Sequence, residues 1–382
     1  LQVEGVRWDL SVLYDAPSDP RLEQDLAAAL ARARAFAARY RGTVDVPGGP
    51  SAAWMAAAVA ELEAILEQAD KPAVYAGLLH AADARPPAHG ALVARTQEAG
   101  SEIRNQLVFF DLEWLAVDEA AARAVIDDPA CGRWRHHLEA MRRYRPHTLS
   151  EPEEKLLEET ANTGRRAFNR LFDDLLSAMS FTVEVDGAPR TLNESGVLAL
   201  LHDGRRDLRQ RAARALTDGL RQQSLTLTFI FNTVVQDHAV GDRLRAYPTP
   251  MAARHLANEI DAPTVEALIG ACEANNDMVR DYYHLKRRLL GLEVLYDYDR
   301  YAPIAVEAPL VSWPDARQLV LDAYGDFSPR LRDIATEFFA GRWIDGEPRD
   351  GKRGGAFSAS AVPSAHPFVL LSYLGHPRDV MT

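Results

Sequence analysis

Apolar residues recur three and four positions apart through most of this chain, and proline- and glycine-rich breaks cut that pattern into blocks; an array of helices is what satisfies it. Ser18-Asp19-Pro20 begins the first block, with an aspartate placed to cap free N–H groups and a proline where a missing N–H does no harm. That helix is predicted to run to Tyr40, with Leu22, Leu26, Leu30 and Ala33 on one face, and to end at Gly42 and Pro47-Gly48-Gly49-Pro50. Ser51 starts a second helix through Trp54, Val59, Leu62, Ile65 and Leu66. Further helices are predicted over about 72–83, 88–116, 118–127, 131–144 and 151–179. The opening Trp8-Asp9-Leu10-Ser11-Val12-Leu13-Tyr14 is an aromatic-rich arm expected to pack on the body.

The period changes at Phe181-Thr182-Val183-Glu184-Val185, which alternates and is followed by Asp186-Gly187, a hairpin signal. Helices are predicted again over about 194–202, 205–239, 249–259, 263–290, 313–324 and 328–340. Residues 344–375 differ: they are glycine-rich and then β-prone, with Phe368-Val369-Leu370-Leu371-Ser372-Tyr373 predicted as a buried strand. The fold class is therefore mainly α with a small β-sheet. The change of period suggests a helical N-terminal domain over 1–180 and a second domain over 181–382.

The net charge of −12 over 382 residues excludes a nucleic-acid binder, because phosphate binding needs a basic stripe. The basic runs Arg205-Arg206 and Lys286-Arg287-Arg288 are short and read as solvated helix faces. Cys131 and Cys272 form no CxxC; they fit free thiols in a reducing compartment, with one disulfide between them as the alternative. No apolar run has the length of a membrane span, and Leu1 to Leu10 lacks the apolar core of a signal peptide, so the expected location is cytoplasmic.

No glycine-rich phosphate loop, GxSxG elbow or catalytic cysteine setting is present. A zinc site on one helix needs two histidines four apart, and no two of the eleven histidines have that spacing. His255 and Glu259 lie four apart, but read more simply as a partly exposed polar pair, as do His136-His137 with Glu139. His366 and Tyr373 either face a cleft or pack.

The C-terminal stretch is the most informative. It reads Asp350-Gly351-Lys352-Arg353-Gly354-Gly355-Ala356-Phe357-Ser358, then His366-Pro367-Phe368-Val369-Leu370-Leu371-Ser372-Tyr373-Leu374-Gly375, then Pro377-Arg378-Asp379-Val380-Met381-Thr382. These segments resemble oligoendopeptidase F, a relative of the thimet oligopeptidases. In that family a Lys-Arg-x-Gly-Ala-Phe-Ser segment and a His-Pro-aromatic strand lead through Asp-Val-x-Thr into a His-Glu-x-x-His helix. The arm Trp8–Tyr14 and the helix around Arg206-Asp207-Leu208-Arg209-Gln210-Arg211-Ala212 are also similar to the family, so the resemblance runs along the chain in order.

The resemblance implies a zinc metalloendopeptidase of oligopeptides, with a helical domain followed by the first part of a mostly helical zincin catalytic domain. In the intact family the zinc acidifies a bound water and polarises the scissile carbonyl, while the helix glutamate takes the proton. The 382 residues contain neither the HExxH nor the groups downstream of it. No catalytic or metal-binding residue is therefore assigned, no zinc is expected on this chain alone, and it is expected to be inactive by itself. Its partners would be an oligopeptide substrate and the remaining C-terminal portion of the same protein. The alternative is a naturally truncated peptide-binding or scaffold protein; the coding sequence after Thr382 separates the two.

One element carries over. In this superfamily a Gly-Ala-Phe-like edge strand upstream of the zinc helix pairs antiparallel with bound peptide. Gly354, Gly355, Ala356 and Phe357 match it and are the candidate substrate-binding residues. An open strand edge offers N–H and C=O groups to any extended peptide, and glycines let its backbone approach. Without the resemblance the same residues read as a turn followed by a structural strand. A proline at Gly355 is expected to remove an edge donor and leave the fold intact.

Overall fold

The computed structural model describes residues 1–304 and 310–381. Thr382, the last residue of the Asp-Val-x-Thr segment, lies outside them. Caps of the expected kind open the first helices. The Asp19 carboxylate accepts the Arg21 N–H ahead of α1 (Pro20–Tyr40), and Ser51 Oγ accepts the Trp54 N–H ahead of α2 (Ala52–Ala82). With α3 (Pro87–Ala116) these helices enclose the largest core, where Phe36, Met55, Ile65, Ile103, Phe109, Phe110 and Trp114 are fully buried.

The segment expected over 72–83 is not a separate helix, because α2 continues through Pro72. Proline forfeits one helical hydrogen bond, and burial of Ala69, Pro72, Tyr75 and Ala76 on both sides of it keeps the helix continuous. The shorter α4 (Glu119–Asp127) and α5 (Arg135–Arg142) close the end of this array. The stretch 151–179, expected as one helix, is two: α6 (Glu151–Ala161) and α7 (Arg165–Ala178), parted at Asn162-Thr163-Gly164.

The hairpin forms as predicted. β1 (Phe181–Val185) pairs antiparallel with β2 (Ala188–Leu192), and Asp186 and Gly187, at φ 52° and 78°, make the two-residue turn. A turn with both central residues left-handed is one of the two tight turns that match the twist of the flanking strands. Next come α8 (Glu194–Leu200), α9 (Arg206–Gln222), α10 (Ser224–Leu244), α11 (Ala252–Ala257), α12 (Ala262–Ala274) and α13 (Asn276–Leu289). The predicted helices 205–239 and 263–290 each break once, at Gln223 and Asn275.

After α14 (Trp313–Phe327) and α15 (Pro329–Ala340) comes a three-stranded sheet of β3 (Ile344–Asp345), β4 (Phe357–Ala359) and β5 (Phe368–Leu370), then α16 (Pro377–Met381). The N-terminal arm joins this sheet to the helices. Trp8, Leu13, Tyr14 and Tyr75 share a core with Phe368 and Leu370, and Asp9 gives its N–H to the Arg342 carbonyl at 2.8 Å. The sheet is thus seated on α2.

Candidate functional site

The order of the C-terminal sheet is β3-β5-β4, which leaves β4 at an edge. β3 runs parallel to β5, and β4 antiparallel to it, with Phe357, Ser358 and Ala359 opposite Leu370, Val369 and Phe368. Val369 gives its N–H to Trp343 O at 2.9 Å, and Leu371 gives its own to Asp345 O at 3.0 Å. Alternate residues of a strand turn their main-chain groups to opposite sides. Phe368 and Leu370 therefore face β4 and bond Ala359 and Phe357. Ser358, opposite Val369, turns its N–H and C=O away from β5. That side of β4 pairs with no strand among the described residues, and Ser358 is exposed.

Gly354, Gly355 and Ala356 lead into this edge and lie before the paired residues; Phe357 is the first residue of β4. Gly355 sits at φ +79° with open space where a β-carbon would be. A proline, held near roughly −65°, would rebuild this turn and not merely delete a donor, so the clean position for that substitution is Ser358. At Gly354 a β-carbon would collide with the Glu194 carboxylate at the start of α8. The glycine is what permits that approach. Arg353 gives its N–H to Ala81 O at 2.9 Å, lies 5.6 Å over the Phe357 ring, and reaches Asp173 on α7 at 3.5 Å. Beside it α7 and α10 form a cavity of 710 Å³, lined by Phe172, Leu227, Ile230, Phe231 and Val234.

Lys352 holds the turn from beneath. Its Nζ donates to Asp345 Oδ1 at 2.5 Å, Glu347 O at 2.9 Å and Leu371 O at 2.8 Å, and lies 3.1 Å from Asp345 O. Arg349 grips both oxygens of the same carboxylate, at 2.7 and 2.8 Å. Burial pushes the Lys352 ammonium down to about 8, against the pull of Asp345. A buried charge of this kind persists only when paired and fully bonded. The motif lysine is therefore a fastener between β3, β5 and the glycine turn.

Other candidates pack. Glu259 is not shared with His255; it binds His136 Nε2 at 2.8 Å and Arg143 at 3.0 Å. Glu139 reaches Arg123 at 3.3 Å. His366 stacks on Trp343 at 3.9 Å, and buried Tyr373 donates its hydroxyl to Val311 O at 3.0 Å. The basic runs are less solvated than expected. Lys286 is buried and donates to Arg300 O at 2.7 Å, and burial lowers its pKa. Arg206 clasps the fully buried Asp299 together with Arg209. Asp299 lies 90 residues from Arg209 in the chain, and no local spacing announces that contact. Cys131 is buried, Cys272 is exposed, and both are free thiols.

Zinc, which the resemblance implies, finds no fit among these residues. No group of three or more His, Cys, Asp or Glu among the described residues is placed to hold a metal ion, and the histidine–carboxylate pair at Glu259 is already satisfied by Arg143. No described helix is long and apolar enough to cross a membrane.

The fold is a helical array carrying a three-stranded sheet with β4 at an edge. Known proteins share features of this chain. The family model described as Oligopeptidase F matches residues 113–181. An oligoendopeptidase F homolog of Borreliella burgdorferi is 25% identical over 83% of this chain and 54% of its own length. Oligopeptidase PepF of Bacillus subtilis is 25% identical over 65% of this chain and 37% of its own. The crystal structure of oligoendopeptidase-F from Enterococcus faecium superposes with a TM-score of 0.69 at 23% identity, covering 83% of this chain and 60% of that one. The chain thus resembles oligoendopeptidase F-type peptidases in sequence and in fold, and spans only part of the length of the relatives it matches.

Proposed function

We propose that this chain is the peptide-holding part of a cytoplasmic, zinc-dependent oligoendopeptidase that cleaves internal bonds of short peptides. The observation that carries the reading is the open side of β4, reached through Gly354 and Gly355. An extended peptide laid antiparallel along it would exchange main-chain bonds with Ser358, and Gly355, with open space where a β-carbon would stand, leaves room for its backbone. Recognition through main-chain groups is indifferent to peptide sequence, as an enzyme acting on varied peptides requires. The division into 1–180 and 181–382 belongs to the same proposal, with the core around Trp8 and Phe368 tying the two parts together.

The described residues offer no group of three or more side chains placed to hold a metal ion, so this reading assigns the metal chemistry to residues outside them. The role of these residues is to bind and orient. A fluorescent peptide blocked at both ends tests this. It should bind the 382-residue chain and remain uncut, and Ser358→Pro should weaken the binding. Binding indifferent to Ser358→Pro would remove the edge from the account.

A further inference from the structure

Glu194 opens α8 with its carboxylate in the space a β-carbon on Gly354 would occupy, at the entrance to the β4 edge. Its neighbours around the glycine turn have partners: Asp173 lies 3.5 Å from Arg353, and Asp174 lies 2.9 Å from His80. Glu194 makes no ion pair or side-chain hydrogen bond among the described residues, and it is half-buried. Burial raises its pKa, with no neighbouring charge offsetting it. A carboxylate withdrawn from water is ordinarily given a donor or a cation. An acidic residue in a first helical turn also favours the helix dipole, but any outward position on that turn would serve, and the contact with Gly354 would be unnecessary.

We propose that Glu194 is a specificity residue that receives a cationic group of the bound peptide. The inference rests on the reading of β4 as the peptide-pairing edge. β4 runs from Phe357 to Ala359, away from the glycines. A peptide antiparallel to it brings its C-terminal portion to Gly354. The cation that meets Glu194 is then a lysine or arginine side chain there, while a free α-carboxylate at that end is repelled. A parallel peptide would instead present its α-ammonium. The two sources share one chemistry and differ in which end of the peptide carries the charge.

The test uses the 382-residue chain and labelled alanine-rich pentapeptides, with affinity read by fluorescence anisotropy. One is blocked at both ends and neutral. The second carries lysine next to an amidated C-terminus, the third lysine next to an acetylated N-terminus, and the fourth a free C-terminal carboxylate. The second should bind about tenfold more tightly than the neutral peptide, the size of one charge-assisted contact. The fourth should bind more weakly, and Glu194→Gln should reduce the second to the level of the neutral peptide. Equal affinity of all four, or a lysine preference that survives Glu194→Gln, overturns the assignment. A Glu194-dependent preference for the third peptide supports the cation role and overturns the antiparallel direction. Ser358→Pro separates the two readings. If it leaves the neutral peptide's affinity unchanged, the edge itself is wrong; if it weakens that peptide while Glu194→Gln has no effect on the second, only Glu194 is misassigned.

Discussion

Lys352 Nζ lies 2.5 Å from Asp345 Oδ1, with each side chain 1% exposed. The pair joins the start of the glycine turn to the parallel strand at the far side of the sheet, so the position of the candidate edge depends on it. Lys352→Met removes the ammonium and takes a donor from the Asp345 carboxylate and from the Glu347 and Leu371 carbonyls. Arg349 keeps Asp345 partly neutralised, which places the cost near the lower end of that for breaking a buried pair, about 3 kcal/mol. Urea unfolding should show that loss, and peptide affinity should fall with it. An unchanged midpoint would show that the contact is not what fixes the turn.

Ser358→Pro acts only on the open side of β4. Its N–H points away from β5, so the sheet gives up no ladder bond, and an edge strand tolerates proline. The melting temperature should hold, while affinity for a neutral blocked peptide falls about tenfold, the worth of one well-placed hydrogen bond. A drop in melting temperature of the Lys352→Met kind would instead mark Ser358 as part of the sheet's own bonding.

His202 carries a pH dependence. Burial, with Arg378, His376 and Lys286 nearby, pushes its imidazole down to about 4, and Asp379 pulls the other way. Its ring stacks on Tyr301 at 4.5 Å, and Nε2 meets the Arg378 guanidinium. The unfolded chain, with an ordinary histidine near 6.5, binds more protons than the fold between these values. The stability contribution is therefore complete above pH 6.5 and is lost as pH falls toward 4. His202→Phe keeps the stacking and removes the titration. The gap in melting temperature between wild type and variant should narrow across that window; a constant gap contradicts the assignment.

Purified as 382 residues, the chain should hold no stoichiometric zinc and cleave no peptide, since a catalytic zinc takes three protein ligands and a water. Metal analysis and peptide cleavage check this together. One tightly held zinc per chain with chelator-sensitive cleavage would contradict it.

The sequence made the local features legible and left the distant ones hidden. Asp19, Ser51 and the Asp186-Gly187 turn act within a few residues of themselves, so their chemistry can be read where they stand. The breaks at Gly164, Gln223 and Asn275 were masked, because apolar spacing continues across them. The Asp299 clasp and the approach of Glu194 to Gly354 join segments far apart in the chain, and no period records such meetings. The β4 segment was found through its resemblance to a family, since Gly354-Gly355-Ala356-Phe357 by itself equally describes a turn. What the structure adds is the register, which moves the open N–H from the glycines to Ser358.

The central claim is that a peptide pairs with the open side of β4, and the Ser358 amide reports on it most directly. With serine ¹⁵N-labelled in the 382-residue chain, amide exchange at Ser358 can be followed with and without a saturating neutral blocked peptide. The account predicts fast exchange in the free chain and marked slowing in the complex, because the N–H passes from water to a peptide carbonyl. Exchange at Ser358 that stays fast while the peptide is demonstrably bound would contradict it.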